Sequence, residues 1–286
     1  MTNSGTSAVA AAGRTARADR RLVILACGMF AIGTDSFVIA GILPRIAQDF
    51  DVGVGMAGQL ITAYALSYAL ITPVAAALTS GLARERVLLA GLLIFVLGNL
   101  GTAFAPDIYS ALLGRVASGA GAAVFAPAAS ATALALTDPS RRGQALAYMM
   151  VGLSSATALG APLGTALSEV FDWRSVIVLI ACLGALVALG ISVSIRTIAL
   201  PKAIAMQDRM RTLGDARVVG ALFATFLVLA GLYTVYSYVS VVFRPATRGD
   251  GTALAMLLSI WGFGAVAGSL AAGRLTDRYG SRAIIN

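Results

Sequence analysis

Two oppositely charged residues of this 286-residue chain each lie deep inside a long apolar run. Asp35 interrupts the run that begins at Leu22, and Arg115 interrupts the run that begins at Ile108. A charge at the centre of a bilayer costs about 2.5–3.5 kcal/mol on insertion scales, so it usually faces a partner or a cavity. If the two runs cross in opposite directions as helices, both residues lie roughly 10 Å from the same surface. The sequence therefore predicts that Asp35 and Arg115 pair or share a cavity.

Such a pair has two interpretations. In the first, Asp35 and Arg115 couple proton binding to substrate binding, because burial favours a neutral carboxyl group whereas a nearby guanidinium favours a charged one. Movement of either side chain would then switch protonation, and a substrate competing for the site would link its exit to proton entry. In the second, the two residues form a static buried ion pair that fixes helix packing.

The residue types that the chain lacks exclude several kinds of chemistry. The sequence has no His, which removes Ser-His-Asp catalysis, His metal sites and a His-based pH switch. Cys27 and Cys182 lie in apolar runs, and we expect both to be small buried hydrophobes. No P-loop or GxGxxG motif precedes a plausible nucleotide-binding helix. We therefore expect no enzyme activity, no cofactor and no metal.

The composition indicates that membrane helices position the charged pair. Hydrophobic residues make up 58% of the chain and charged residues 12%, about half the usual charged share. Eight apolar runs are each long enough to cross a hydrocarbon core of about 30 Å. The predicted spans are Leu22–Leu43, Met56–Leu78, Val87–Ala105, Ile108–Leu136, Ala145–Leu167, Ser175–Ser194, Val218–Phe243 and Thr252–Ala272.

The positions of the basic residues predict the topology of these spans. If the N-terminus is cytoplasmic, 16 of the 21 Lys and Arg residues fall in inner segments and 4 in outer loops. This is a strong positive-inside bias. It accounts for the net charge of +8 without nucleic-acid binding, and it predicts a multi-pass protein of the inner or plasma membrane with both termini cytoplasmic.

The inner segments also divide the chain into parts. We expect a disordered basic tail at 1–21, a six-helix bundle at 22–195, and a cytoplasmic central loop at 196–217. The last part, 218–286, would hold the first two helices of a second bundle and the loop that follows them.

A motif in that last loop resembles a known family. The segment 273–282 reads G-R-L-T-D-R-Y-G-S-R, which is similar to the G-x-L-x-D-R-x-G-x-R loop of the major facilitator superfamily. The family also has this loop after helix two, where Gly81 here replaces the Asp and Arg84 replaces the second Gly. A shift of 196 residues relates Arg86 to Arg282, and the same shift relates Leu22 to Val218. Two landmarks with one shift support two parallel repeats of six helices.

Two further spans extend the resemblance to residues 22–286. Span four carries Arg115 before a Gly-rich stretch, and span five carries Gly160, Pro162 and Gly164, like the helix-five motif of proton-coupled drug exporters. The resemblance is nearest to bacterial twelve-helix drug:proton antiporters of the chloramphenicol or arabinose efflux type. It implies an all-α integral membrane protein, a helical bundle of the major facilitator type with eight of an expected twelve transmembrane helices present.

Further candidate residues follow from these motifs and from residue type. Pro162 disfavours a straight helix, and small residues allow close helix approach, so one set is either a hinge or a packing notch: Gly119, Gly160, Pro162 and Gly164. The resemblance implies an inner gate, for which the alternative is a solvated basic loop: Gly273, Asp277, Arg278, Gly280 and Arg282. Polar, aromatic and Met side chains would line a substrate cavity or else contact core or lipid: Gln59, Tyr64, Tyr68, Met149, Tyr233 and Tyr236.

The function predicted from these features is transport, most simply proton-coupled efflux of small lipophilic compounds by a monomer. Its partners would be the lipid bilayer, protons and a small-molecule substrate. Uptake or facilitated diffusion of a sugar or metabolite by the same fold remains an alternative, as does an inactive membrane fragment. The repeat predicts that helices nine to twelve would occupy about 100 further residues, so we expect a truncated chain.

Overall fold

A computed structural model of the protein describes the backbone of residues 4–79, 81–195 and 215–279, with side chains from residue 20 to residue 267 except 80, 140 and 196–214. This part of the chain is helical and has no strand. The long helices are α1 (Ser4–Asp49), α2 (Val54–Leu78), α3 (Arg84–Ala103), α4 (Ile108–Ala135), α5 (Arg142–Ser155), α6 (Ala161–Val170), α7 (Trp173–Ser194) and α8 (Ala216–Ser237). They are followed by two single turns, α9 (Val239–Val242) and α10 (Arg244–Thr247), and by α11 (Gly251–Tyr279).

Seven helices among the described residues are long and apolar enough to cross a membrane, judged by length and composition. The fifth is the continuous segment Arg142–Val170, which joins α5 and α6 through a π-helical turn at Ala156–Gly160. A shorter apolar helix, Gly251–Ala267, corresponds to the eighth predicted span. The all-α membrane architecture is therefore confirmed, with fewer than twelve spans.

One expectation about helix ends needs correction. The first helix begins at Ser4, so the segment expected as a disordered tail has a helical backbone. Span five runs through Pro162, as the predicted span Ala145–Leu167 requires. A π turn ends two residues before it, and such a turn absorbs the missing hydrogen bond and the bulk of the proline ring.

The expected burial of the two cysteines was wrong, because Cys27 and Cys182 are both exposed on the helix surfaces. In a membrane protein an apolar side chain can contact either lipid or the protein core at similar free energy. Apolar neighbours in the sequence therefore do not indicate whether a residue is buried.

The first six spans pack into one bundle with a large shared core, in which Trp173, Phe95 and Phe125 are almost fully buried. Close backbone contact between α3 and α4 depends on glycine. A Cβ atom at Gly98 would lie 2.7 Å from the Ser118 Cα atom and nearer still to the Ser118 nitrogen. Small residues of this kind drive helix association in membranes, where apolar burial alone does not.

Hydrogen bonds fix the helix ends on the side of the bundle where α1 terminates. The Arg174 guanidinium, at the start of α7, donates to the carbonyl oxygens of Ala103 and Ala105 at 2.8 and 2.9 Å. It also donates to Asp49 Oδ2 at 2.7 Å, and the Trp173 indole donates to the same oxygen at 3.2 Å. The ends of α1, α3 and α7 are thereby tied together around one arginine.

The last helices contact the first bundle through a second, smaller cluster. Ala40, Tyr236, Val239, Leu254 and Leu258 form its buried centre. This cluster sets α9 and the first half of α11 against α1, next to the turn of α1 that carries Asp35.

A buried ion pair between the first and fourth spans

The structure brings together Asp35 and Arg115, the two residues singled out by charge. Arg115 Nη1 donates to Asp35 Oδ1 at 2.6 Å, and the exposed fractions of the two side chains are 1% and 0%. Arg115 Nη2 also donates to the Asp35 carbonyl oxygen at 3.4 Å, and Nε donates to the Leu60 carbonyl oxygen at 3.4 Å. The pair therefore joins α1 to α4 and reaches α2.

Tyr64 supports the guanidinium from α2. The Arg115 Cζ atom lies 4.3 Å from the centre of the Tyr64 ring, a distance at which the ring quadrupole attracts a cation. Ser36 Oγ lies 3.2 Å from the Tyr64 hydroxyl in a hydrogen bond. Tyr64 was predicted as a cavity residue, and the structure places it, buried, against the ion pair.

One carboxylate oxygen in this buried site has no hydrogen-bond partner. Asp35 Oδ2 is shielded from solvent and accepts no well-formed hydrogen bond, although the Asn99 side chain lies close enough to interact with the carboxyl group. Asn99 Oδ1 is also buried and unpartnered. Asn99 Nδ2 donates to the Phe95 carbonyl oxygen at 3.0 Å. An unpartnered buried acceptor is costly, and a proton on Asp35 Oδ2 would convert that oxygen to a donor. The arrangement is thus chemically suited to take up a proton.

Sequence reasoning missed Asn99 as a member of this site. Its signal was a lone carboxamide within the otherwise apolar run of α3, where a polar side chain is expensive in hydrocarbon.

The glycines of span five pack on α1 on either side of Asp35. A Cβ atom at Gly160 would lie 2.9 Å from the Thr34 Cβ atom and would overlap the Thr34 hydroxyl, and one at Gly164 would overlap Val38. Gly119 of α4 approaches α2, since its Cβ atom would lie 2.5 Å from the Tyr64 carbonyl oxygen. Pro162, buried in α6, lies between Gly160 and Gly164. The three glycines are therefore points of close contact between helices in this conformation.

The other predicted cavity residues do not converge on the pair. Gln59 is exposed and its amide lies 3.5 Å from the Gly55 carbonyl oxygen on its own helix. Met149 is buried in the main core, and Tyr68 is half-buried against it. Tyr233 and Tyr236 belong to an aromatic cluster between α1, α8 and α11.

The predicted inner gate lies largely outside the described side chains. Gly273, Asp277 and Arg278 belong to the helical backbone of α11, whose side chains are described only as far as 267. Gly280 and Arg282 lie outside the described residues. The gating role of this motif stays a prediction.

Membrane-length helices that enclose an ion pair at depth are typical of helical membrane transporters, in which such charges often mark ion or substrate pathways. Comparison with known proteins also indicates a membrane transporter family. The profile of the Major Facilitator Superfamily matches residues 25–286. The chain belongs to this family.

Individual relatives are consistent with that assignment. The chain is 32% identical over 262 residues to the inner membrane transport protein YdhP of Escherichia coli, covering 90% of this chain and 66% of YdhP. It is 30% identical over 293 residues to a chloramphenicol efflux pump of Mycobacterium tuberculosis, covering 99% of this chain and 69% of the pump. The chain thus spans about two thirds of the length of the curated relatives that it matches.

The fold also matches a solved structure. The bacterial homologue of the human lysosomal transporter Spinster, in an inward-facing and unoccupied conformation, superposes with a TM-score of 0.72 at 21% identity. The match covers 92% of this chain and 64% of the homologue. This likeness establishes the fold of the described helices.

Proposed function

We propose that this transporter exports small lipophilic compounds in exchange for protons, with Asp35 as the proton-binding group and Arg115 as its partner. The observation that carries the proposal is the buried pair, in which one carboxylate oxygen has no hydrogen-bond partner. The existence of chloramphenicol efflux pumps among the relatives supports both the direction of transport and the substrate class.

The mechanism follows from the electrostatics of the pair. In a low-dielectric site, charged Asp35 is stabilised mainly by Arg115 at 2.6 Å. Protonation removes that attraction and leaves the guanidinium with Tyr64 and two backbone carbonyl oxygens. The buried charge on Arg115 then favours a rearrangement in which it regains a partner or water. A substrate bound near the pair favours the deprotonated form if the two compete, so export and proton entry alternate.

Two further features belong to this proposal. Rocking of the two parts of the protein would expose the site alternately to each side. The excess of basic residues in the predicted inner segments favours an inner-membrane location with cytoplasmic termini, and YdhP is named as an inner membrane protein.

The test is accumulation of chloramphenicol in cells that express the protein, with and without an uncoupler. We expect Asp35→Asn to abolish the uncoupler-sensitive reduction in accumulation while membrane-inserted protein remains at the wild-type level. Asp51→Asn is the matched control, because Asp51 is exposed in the turn after α1 and its positive φ of 50° suits Asn equally well. Uncoupler-sensitive efflux by Asp35→Asn equal to that of the control would show that the pair is structural.

A further inference from the structure

Asn99 of α3 lies beside the buried ion pair because α3 and α4 pack closely at this depth. A Cβ atom added at Gly98 would lie 2.7 Å from the Ser118 Cα atom, and one added at Gly114 would lie 2.9 Å from the Gly98 carbonyl oxygen. Gly114 and Ser118 flank Arg115 on α4. The turn of α3 that carries Asn99 is therefore held against the turn of α4 that carries Arg115.

The Asn99 carboxamide has unused capacity for hydrogen bonds. Its side chain is buried, and Nδ2 donates to the Phe95 carbonyl oxygen at 3.0 Å. A carboxamide has two N–H donors and a carbonyl oxygen that accepts. Oδ1 of Asn99 has no hydrogen-bond partner although it is shielded from solvent, and such an acceptor is costly. Asn99 can therefore donate one further hydrogen bond and accept another.

Asp35 presents a complementary group to this carboxamide. Its Oδ1 atom accepts from Arg115 at 2.6 Å, whereas Oδ2 is buried and accepts no well-formed hydrogen bond. The Asn99 side chain lies close enough to interact with the carboxyl group. Among the described side chains, the ionisable groups that face Asp35 are Arg115 of α4 and Tyr64 of α2. Asn99 is thus the neutral partner that α3 contributes.

The carboxamide can serve either protonation state of Asp35. A charged carboxylate only accepts hydrogen bonds and can take one from Nδ2, whereas a protonated carboxyl group also donates and can bond to Oδ1. Half a turn about the Cβ–Cγ bond exchanges the two ends of the amide with almost no change of shape, and this torsion is soft. The turn gives up the bond to the Phe95 carbonyl oxygen, which as a helix carbonyl also accepts from a backbone N–H. One proton on Asp35 Oδ2 thereby satisfies both of the oxygens that lack a partner.

We propose that Asn99 is a positioning residue of the Asp35 proton site. Its carboxamide donates to the charged carboxylate and turns to accept from the protonated carboxyl group. Asp35 therefore keeps a partner on α3 when protonation removes the attraction of Arg115. The contribution of this exchange to transport rests on the proposed function.

The sequence offers a native probe of the exchange, because the chain contains three Asn residues, which are Asn3, Asn99 and Asn286. Purified full-chain protein in detergent is labelled with carbon-13 at the Asn side-chain carbonyl and titrated by NMR over about pH 4–10. Asn3→Gln and Asn286→Gln identify the other two signals. We expect the Asn99 signal to move downfield as the pH falls, because its carbonyl oxygen then accepts a hydrogen bond.

The control for this titration is Asp35→Ser, which lacks the carboxyl group and adds no Asn. We expect the Asn99 signal of this variant to stay in place over the same range. An Asn99 signal that does not titrate in the wild-type protein, or that titrates equally in Asp35→Ser, would overturn the proposal.

A second measurement separates this role from simple packing. The infrared carbonyl band of protonated Asp35, which Asp35→Ser lacks, is followed against pH in Asn99→Leu and in Thr102→Val. A hydrogen bond to a charged group is worth more than one between neutral groups, so Asn99→Leu should move the midpoint upward by about one pH unit.

Thr102→Val is the matched control for the infrared measurement. Thr102 is also buried on α3, and its hydroxyl donates to the Gly98 carbonyl oxygen of the same helix at 3.0 Å, so its loss should leave the midpoint unchanged. Equal midpoints in Asn99→Leu and Thr102→Val, or a downward shift in Asn99→Leu, would contradict the proposal. The NMR titration uses the native Asn99 and decides the question even if Asn99→Leu does not fold.

These outcomes are distinct from those of the efflux test, because neither measurement involves transport. Titration of Asn99 with Asp35 in a protein without uncoupler-sensitive efflux refutes only the proposed function. Efflux that depends on Asp35, with an Asn99 signal that does not titrate, refutes only the role of Asn99.

Discussion

The first and seventh spans are almost equally apolar but pack very differently. Their mean hydropathies are 2.1 and 2.2, yet 61% of the first span's most apolar window is buried inside the protein, against 0% for the seventh. The close and polar contacts of the two helices differ accordingly. In α1, a Cβ atom added at Gly33 would lie 2.6 Å from the Ala156 Cβ atom, and Asp35 pairs with Arg115. In α8, a Cβ atom added at Gly220 or Gly231 would have no neighbour within 4 Å. In this molecule apolarity places a helix in the membrane, and specific close contacts decide its packing.

The elements that follow the seventh span contact the first bundle at α1 and at span five. Ser240 Oγ donates to the Ala40 carbonyl oxygen at 2.7 Å, and a Cβ atom at Gly262 would lie 2.5 Å from the Ala158 Cα atom. The first contact is to α1, which carries Asp35, and the second is to the π turn of span five, which packs on α1. Movement of the second region against the first would therefore act directly on α1 and span five.

The largest effect on stability is expected at the ion pair. Arg115→Met leaves the Asp35 carboxylate buried without its partner, and we expect a loss of about 3–5 kcal/mol in the free energy of unfolding. The measurement is denaturant unfolding of purified protein in detergent. Arg45→Met is the control, because Arg45 and Glu169 form a pair at 2.5 Å that is 39% and 29% exposed, which is worth at most about 1 kcal/mol. Equal losses in the two variants would contradict the special status of the buried pair.

An intermediate effect is expected where α3 and α4 touch. Gly98→Ala places a methyl group against the Ser118 backbone, so the helices must separate, and overpacking of this kind costs about 1–3 kcal/mol. The same unfolding measurement detects it. Unchanged stability would show that the interface can relax without cost.

The smallest effect has the opposite sign and comes from the open region. Gly231→Ala occurs inside α8, where nothing lies within 4 Å of the added atom, and alanine improves helix propensity by up to about 1 kcal/mol. We expect a slight gain in stability of α8, measured by slower backbone amide exchange around residue 231. Faster exchange would mean that this glycine has a packing role.

The sequence predicts the membrane fold well because its signals are long. Runs of apolar residues identify the spans, and the shared depth of Asp35 and Arg115 points to the pair at 2.6 Å. Depth along a helix follows from counting residues, since the rise per residue is constant.

The facing of side chains could not be predicted in the same way. A helix that is apolar on all sides has no hydrophobic periodicity that distinguishes its buried face. The exposure of Cys27 and the burial of Tyr64 against Arg115 could therefore not be predicted from the sequence. The role of Asn99 beside Asp35, and the π turn before Pro162, depend on contacts between distant segments. Such contacts exist only after the helices have packed.

The most direct test of the central claim, that Asp35 exchanges a proton for substrate, is proton release on ligand binding. Purified protein in weakly buffered detergent solution is mixed with chloramphenicol, and a pH indicator follows the solution over about pH 5–8. We expect protons to be released by the wild-type protein and by Asp51→Asn, and none by Asp35→Asn. Release from Asp35→Asn equal to that of the wild type would contradict the claim.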